Sequence, residues 1–410
     1  MLTFTVALLI TGSLIGAGIL ALPIKTGLSG FIPSLIGMSV VGAAMFFTAT
    51  ILAREASESE DPNFHFATMY EKYLGIFGKW LAIPATLLVL YGLLTAYLNG
   101  AATVISKFFN FEVTSNWVML AFFILMTLLL LRGIHVVRKY NAVFMIITWG
   151  TFALIVYLAS GYVETSNLAY TDWKYLPATV PIIVTAFFIH NVIPSCCKAL
   201  NWNYRTARIT ILVGILIGFV MYIVWLYVAI GALPLEGEKY SLMNAFQHDY
   251  PATIPLSQKI NSPLFTYGSL AFALFALATS YIACGIGLFA FVKDLATNHF
   301  HIKNKYLVSL FSFGPPLAIG LIYPDIFLEA LDVVGGVGIV VLFGILPSII
   351  ATIKAKRLVA RIFCLLILLL FVGFLVLEIM QEFGVLHIRP DAEHWETMQS
   401  VFENPLPKGN

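Results

Sequence analysis

Thr11-Gly12-Ser13-Leu14-Ile15-Gly16-Ala17-Gly18-Ile19-Leu20-Ala21-Leu22-Pro23 lies inside an apolar run that extends from about residue 3 to 28. About 20 such residues are enough for a helix to cross a bilayer. Glycine weakens a helix because it loses the most entropy on ordering, and proline removes an amide donor. Glycines at 12, 16 and 18 followed by Pro23 therefore mark a helix that weakens near mid-membrane. In hydrocarbon, the backbone groups freed there must find a partner or line a polar cavity. Close packing against another helix calls for the same small residues. Alone, this stretch leaves a packed helix and a broken helix both open.

A second stretch shifts the balance. The apolar run at about 177–199 contains Pro181 and then Phe187-Phe188-Ile189-His190-Asn191-Val192-Ile193-Pro194, with polar side chains and a proline at its centre. Nine more runs flank these two, giving eleven spans at roughly 3–28, 31–54, 80–106, 117–132, 139–162, 177–199, 207–230, 264–292, 307–323, 327–352 and 359–380. The first interrupted span opens one block of five and the sixth opens another. A block with an odd number of spans must be followed by a copy in the opposite orientation. Interruptions at matching places in two such blocks point to an inverted-repeat transporter with its site at the breaks. The repeat shows in topology, not in residue identity.

Composition and charge agree with an all-α integral membrane protein. Apolar residues make up 60% of the 410 and charged residues only 11%, where a soluble domain carries about 25% charged residues. A net charge of +2 with no basic stripe excludes a nucleic-acid partner. Of the 23 Lys and Arg, sixteen fall in loops on one side if the N-terminus is cytoplasmic, as positive-inside orientation expects. The odd span count then puts the C-terminus outside. The first 22 residues lack a basic leader region, so the first span reads as an uncleaved helix. Trp80, Trp117 and Trp173 fall near span ends and read as interface anchors. Cys196, Cys197, Cys284 and Cys364 lack metal spacing and read as small apolar fillers. The expected organisation is one transmembrane domain over 1–380, with repeats at about 3–162 and 177–352, an added helix at about 359–380, and an extracytoplasmic tail at 381–410. The connection at about 231–263 contains four prolines and reads as an ordered cap or a short re-entrant piece.

The chemistry of the breaks suits a zwitterion. Amides at Gly16, Ala17 and Gly18 begin the outer half of the first helix, where the helix dipole is positive and a carboxylate can bind without an arginine. Carbonyls ending the inner half of that helix, and a half of the sixth, can take an ammonium group. Almost no Asp, Glu, Lys or Arg is expected in the core, which argues against a net-charged substrate. Lys25 and Asp332 read as lying too near the outer face to contribute.

The run Ile15-Gly16-Ala17-Gly18-Ile19-Leu20-Ala21-Leu22-Pro23 resembles the first-helix signature of the hydroxy/aromatic amino acid permeases, bacterial tyrosine- and tryptophan-specific transporters of the amino acid/polyamine/organocation superfamily. Phe188 through Ser195, with His190 and Pro194, is similar to their sixth helix. Ala276-Leu277-Ala278-Thr279-Ser280, followed by Gly285-Ile286-Gly287-Leu288-Phe289, is similar to their eighth. The resemblance covers roughly 3–380, and the first-helix signature is shared with neuronal-type neutral amino acid transporters. It implies a leucine-transporter-type fold: a five-plus-five inverted repeat with helices 1 and 6 broken, plus an eleventh helix. It also implies symport of an aromatic amino acid with protons by alternating access, in a bacterial inner membrane. Sodium-coupled members of the superfamily hold their ion between helices 1 and 8. The matching positions are the Gly12, Ile15 and Ala276 carbonyls and the Thr279 and Ser280 hydroxyls. Sodium-coupled uptake of a neutral amino acid is therefore the alternative, and otherwise no metal, cofactor or obligatory protein partner is implied.

Individual side chains carry two readings each. His190 is an imidazole near mid-membrane, either a proton-coupling or substrate-contacting group or a neutral histidine bonded to a backbone carbonyl. Asn191 contacts substrate or satisfies opened backbone. Tyr97 is preferred over Tyr91 as a substrate contact on the third span, against interhelical packing. Phe187 and Phe188 stack on a substrate ring or pack in the core. Thr279 and Ser280 ring a cation or bond back to their own helix. A channel would want a continuous polar lining, and an enzyme a clustered acid/base or metal set. The sequence shows neither, so the expectation is a carrier and not an enzyme.

Overall fold

The computed structural model describes residues 2–61, 64–109, 115–132, 134–237, 239–302, 304–383 and 385. Most of the expected tail, 386–410, lies outside the described residues. Regular structure among the described residues is helical, apart from one bridge between Gly30 and Thr171. Nine helices there are long and apolar enough to cross a membrane, a bent pair near the N-terminus makes a tenth, and the shorter apolar helix Asn116–Leu131 supplies an eleventh.

In chain order, α1 has two halves, α1a Leu2–Leu14 and α1b Ala17–Gly27. Then come α2 Phe31–Ser59, α3 Phe66–Phe109, α4 Ser115–Leu131 and α5 Ile134–Ser160. The second block opens with α6, again in halves: α6a Leu176–Ala186 and α6b Ile193–Ala199. It continues with α7 Tyr204–Ala232, α8 Pro263–Phe300 and α9 Lys305–Ile322. It closes with α10, Phe327–Lys354, and α11, Leu358–Glu382, follows.

Two features, the start of the third span and the middle of α10, depart from the sequence reading, and helices fill the 231–263 connection read as an ordered cap or a short re-entrant piece. The third span starts not at residue 80 but at Phe66, because a short helix joins it through a kink at Gly75, whose φ of 64° is open to glycine. The 231–263 connection holds two short helices, Leu242–Gln247 and Thr253–Ile260. The middle of α10, Val334–Ile345, is π-helical. A tight turn joins α1b to α2, and Gly30 takes φ 92° there.

Lipid tails are as apolar as leucine, so packing and hydrogen bonds, rather than burial from water, join these helices. Every residue of α1b is buried. Trp225, Tyr222, Tyr70 and Phe187 are among the largest fully buried side chains, and Trp225, Tyr222 and Phe187 lie around the two broken helices. Exposed Trp80, Trp117 and Trp173 fit the anchor reading.

Candidate functional site

The halves of α1 meet at an angle of 55°. Gly16 sits at the break with φ −134° and ψ −150°, and its N–H donates to the Leu14 carbonyl at 3.0 Å. A Cβ on Gly16 would come within 2.7 Å of Ser280 Oγ, so only glycine lets the α8 hydroxyl lie against the break. In α6, helical geometry ends at Ala186 and a 3₁₀ turn at His190–Val192 leads into α6b, with Pro194 in its first turn. Proline is tolerated there because a first-turn N–H needs no intrahelical acceptor.

A side chain that the sequence reading did not single out joins the two breaks. Tyr222 Oη of α7 lies 2.6 Å from the Leu14 carbonyl oxygen and 2.7 Å from that of Ala186. Its single proton serves the two carbonyls left over where α1a and α6a end. On the next turn, Trp225 Nε1 donates to the Ile19 carbonyl at 2.8 Å. The sequence reading left the carbonyls at the two breaks to an ammonium group; in the structure those of Leu14 and Ala186 accept the Tyr222 hydroxyl. Nothing in the sequence of α7 marks Tyr222, because an interior tyrosine in an apolar run looks like any other.

Tyr97 is buried, with its hydroxyl 3.7 Å from Cys284 Sγ and hydrogen-bonded to Ser280. Ser280 thus lies between Gly16 and Tyr97, bringing a residue of the cation reading against two of the substrate reading. Tyr91 instead donates to the Phe311 carbonyl on α9 at 2.6 Å, away from the breaks. Thr279 Oγ1 donates to the Ala276 carbonyl at 3.0 Å, so two members of the five-oxygen cation set are bonded to each other. Gly12 is packed against Met145 of α5, and Gly18 against the backbone of Ala186. Ile15 and Ala17 are buried at the break itself.

The two phenylalanines of the α6 break part company. Phe187 turns to α7 and α2, its ring 5.5 Å from that of Tyr222 and in contact with Gly42. Phe188 turns to α10, 5.3 Å from Phe343. His190 is fully buried, and its ring packs against both Phe343 at 5.0 Å and Phe188 at 6.3 Å, the three rings forming a triangle. Its Nε2 lies 3.0 Å from Thr48 Oγ1, which is itself 3.1 Å from the Met45 carbonyl. With the threonine proton given to Met45, Nε2 carries the imidazole hydrogen and Nδ1 keeps a lone pair. No hydrogen-bond partner for Nδ1, or for Asn191 Oδ1, occurs among the described residues.

On the side of the α1b C-terminus a buried ion pair links α1b to α10. Lys25 Nζ of α1b lies 2.6 Å from Asp332 Oδ2 of α10, and both side chains are buried. The same ammonium sits 4.6 Å from the centre of the Phe246 ring in the 231–263 connection. The N–H of Ala252 there donates to the Leu20 carbonyl at 2.9 Å. Asp249 accepts the backbone N–H groups of Phe327 and Leu328, capping α10. Burial raises the Asp249 carboxyl to about 7, against the pull of those two N–H donors and Lys25. Lys25 and Asp332 were read as lying too near the outer face to serve a substrate; they are buried against each other, with Phe246 of the 231–263 connection over the ammonium. Glu378 of α11 is also fully buried. At the opposite end of α10, Lys354 pairs with Glu55 and with Glu58 of α2, the latter at 3.1 Å.

Comparison with known proteins places this arrangement. Residues 2–381 match the model of the tryptophan/tyrosine permease family. The tyrosine-specific transport system 1 of Haemophilus influenzae is 28% identical over 338 residues, covering 80% of this chain and 82% of the relative. Glutamine transporter 2 of Aliivibrio fischeri is 26% identical, covering 86% and 90%. The crystal structure of MhsT in complex with L-phenylalanine superposes with a TM-score of 0.60 at 12% identity, over 92% of this chain and 97% of that one. That likeness shows the fold: a leucine-transporter-type helical bundle.

Proposed function

The chain belongs to the tryptophan/tyrosine permease family, a family of membrane transporters and not of enzymes, and from that premise we propose that it imports an aromatic amino acid together with protons by alternating access. The observation that carries the reading is the meeting of both helix breaks at the Tyr222 hydroxyl, with Ser280 against the break of α1, and Phe188 and His190 following the break of α6. The Ala17 and Gly18 amides at the start of α1b would receive the substrate carboxylate at the positive end of the helix dipole. The aromatic stack would receive its ring, and the lone pairs at His190 Nδ1 and Asn191 Oδ1 would receive donors on the substrate.

Alternating access needs one closed side at a time. The Lys25–Asp332 pair and the 231–263 cap act as the outer closure, and the Lys354–Glu55–Glu58 cluster acts as a link at the inner ends of α2 and α10. The membrane is the bacterial inner membrane, with the N-terminus cytoplasmic and the C-terminus outside. A reporter fused after Lys408 would then be active on the outer side, and activity confined to the cytoplasm would contradict that orientation. Sodium coupling stays the alternative because Ser280 Oγ lies against the α1 break.

Purified protein in liposomes, loaded with labelled tyrosine or tryptophan and challenged with a panel of unlabelled amino acids, tests the substrate class. Competition by tyrosine, tryptophan and phenylalanine, with little from glutamine, is expected. Strong competition by glutamine and none by aromatic amino acids would move the chain toward the specificity named for its Aliivibrio relative.

A further inference from the structure

Residues 66–74 form a short helix set at a sharp bend to the rest of α3. Gly75 carries the bend with φ 64° and ψ −158°, a combination that essentially only glycine adopts. Gly78 lets the two arms close on each other, since an added Cβ there would come within 2.8 Å of the Tyr70 carbonyl oxygen. Residues eight apart stand about 12 Å apart along a straight helix. Glu71 and Lys79, also eight apart, meet at 3.0 Å across the same bend, both partly exposed. Among the described residues, nothing packs within 4 Å of the space that a Gly75 Cβ would take. The bend therefore has the backbone of a hinge and open space around it.

The short helix is docked through residues 66, 70 and 73, which share one helical face. Tyr70 is fully buried, and its hydroxyl donates to the Leu342 carbonyl of α10. Leu342 belongs to the π-helical stretch Val334–Ile345, and such stretches recur at functional sites. The next residue, Phe343, meets the Phe66 ring at 5.0 Å and is the same ring that packs on His190 and Phe188. A chain of ring contacts thus runs from the short helix through α10 to the break of α6. Tyr73 donates to Glu55 of α2, and Lys354 Nζ of α10 lies 3.3 Å from the Tyr73 hydroxyl oxygen. The short helix therefore ties into the Lys354–Glu55–Glu58 cluster as well.

We propose that the 66–74 helix is a hinged bolt on the inner side, which Tyr70 docks on α10 and which swings about Gly75 when that side opens; this rests on the alternating-access reading and the orientation given above. Docked, it keeps the inner half of α10, and with it Phe343, against the α6 break. Undocked, it frees both. One hydrogen bond and one ring contact hold the bolt on α10, a strength that can be made and broken in every cycle. The glycine bend lets the arm move without melting either helix, as hinge positions at element ends do.

The test compares full-length protein with and without Tyr70→Phe, which keeps the ring and removes the donor. Spin labels go on the exposed positions of Lys72→Cys and Lys356→Cys, with Cys196, Cys197, Cys284 and Cys364 replaced by alanine. Tyr70→Phe should raise the ratio of long to short label distances by about 2- to 10-fold, the weight of one hydrogen bond. Hydrogen exchange needs no cysteine replacement, and in Tyr70→Phe it should quicken over 66–74 and 334–345 while α7 stays unchanged. In oriented vesicles the variant's KM should fall at the inner face and rise at the outer one, because favouring one state weakens binding to the other. Unchanged distances with unchanged exchange overturn the bolt. So does a KM that shifts in the same direction at both faces, the mark of a tyrosine that only packs. Longer distances with KM falling at the outer face would keep the bolt and reverse the orientation.

Discussion

Tyr222 shows how much one atom does here. Its hydroxyl supplies the proton for two carbonyls that belong to different interrupted helices. Tyr222→Phe keeps the ring and its packing on Phe187 but leaves both carbonyls without that donor. Loss of one buried hydrogen bond partner costs about 1–3 kcal/mol. The variant should therefore melt at lower temperature in detergent and take up substrate more slowly, and an unchanged melting point with normal uptake would contradict the bridging role. At this scale the sequence was legible in part. Gly16 could be read as part of a break because a glycine cluster in a long apolar run has few explanations. Tyr222, Thr48 and Phe343 could not be read, since their task depends on which helix faces which.

At the scale of elements, the two breaks were visible as composition, whereas the direction in which each half packs was not. Phe187 and Phe188 are adjacent in sequence yet face α7 and α10 respectively, because the chain between Ala186 and His190 is not helical. The α1 break predicts its own test. Gly16→Leu would drive a side chain into the space held by Ser280 Oγ, 2.7 Å from the first added carbon. It should abolish substrate binding while membrane insertion is retained, because an added leucine makes the span more apolar. Binding of unchanged affinity would make α1 a packing helix. The outer cap makes a second prediction. The buried Asp249 carboxyl sits at about 7, above the ordinary value near 4 of an exposed one. The folded state therefore binds more protons than the unfolded state between those values, and stability falls as pH rises through that window. The melting point in detergent should decline from about pH 5 to pH 8, and Asp249→Asn should flatten the decline. A wild-type profile that rises over this range would contradict the assignment.

For the whole molecule, membrane class followed from run lengths, and residues 2–381 match the permease family. The closure on the α1b side was not legible, because Lys25 and Asp332 are 307 positions apart and meet only when α1b and α10 pack. The kink at Gly75 escaped as well, since a polar segment before a span reads as a loop. The same bundle can use either coupling ion, and the Thr279–Ala276 bond and the Ser280 position pull in different directions. Concentrative uptake of labelled tyrosine and tryptophan into liposomes, with sodium and proton gradients imposed separately, addresses the central claim most directly. Aromatic amino acid should accumulate under an inward proton gradient with sodium absent, and the accumulation should collapse when the gradient is dissipated. Strict dependence on sodium, or no accumulation of either amino acid under any gradient, would contradict it.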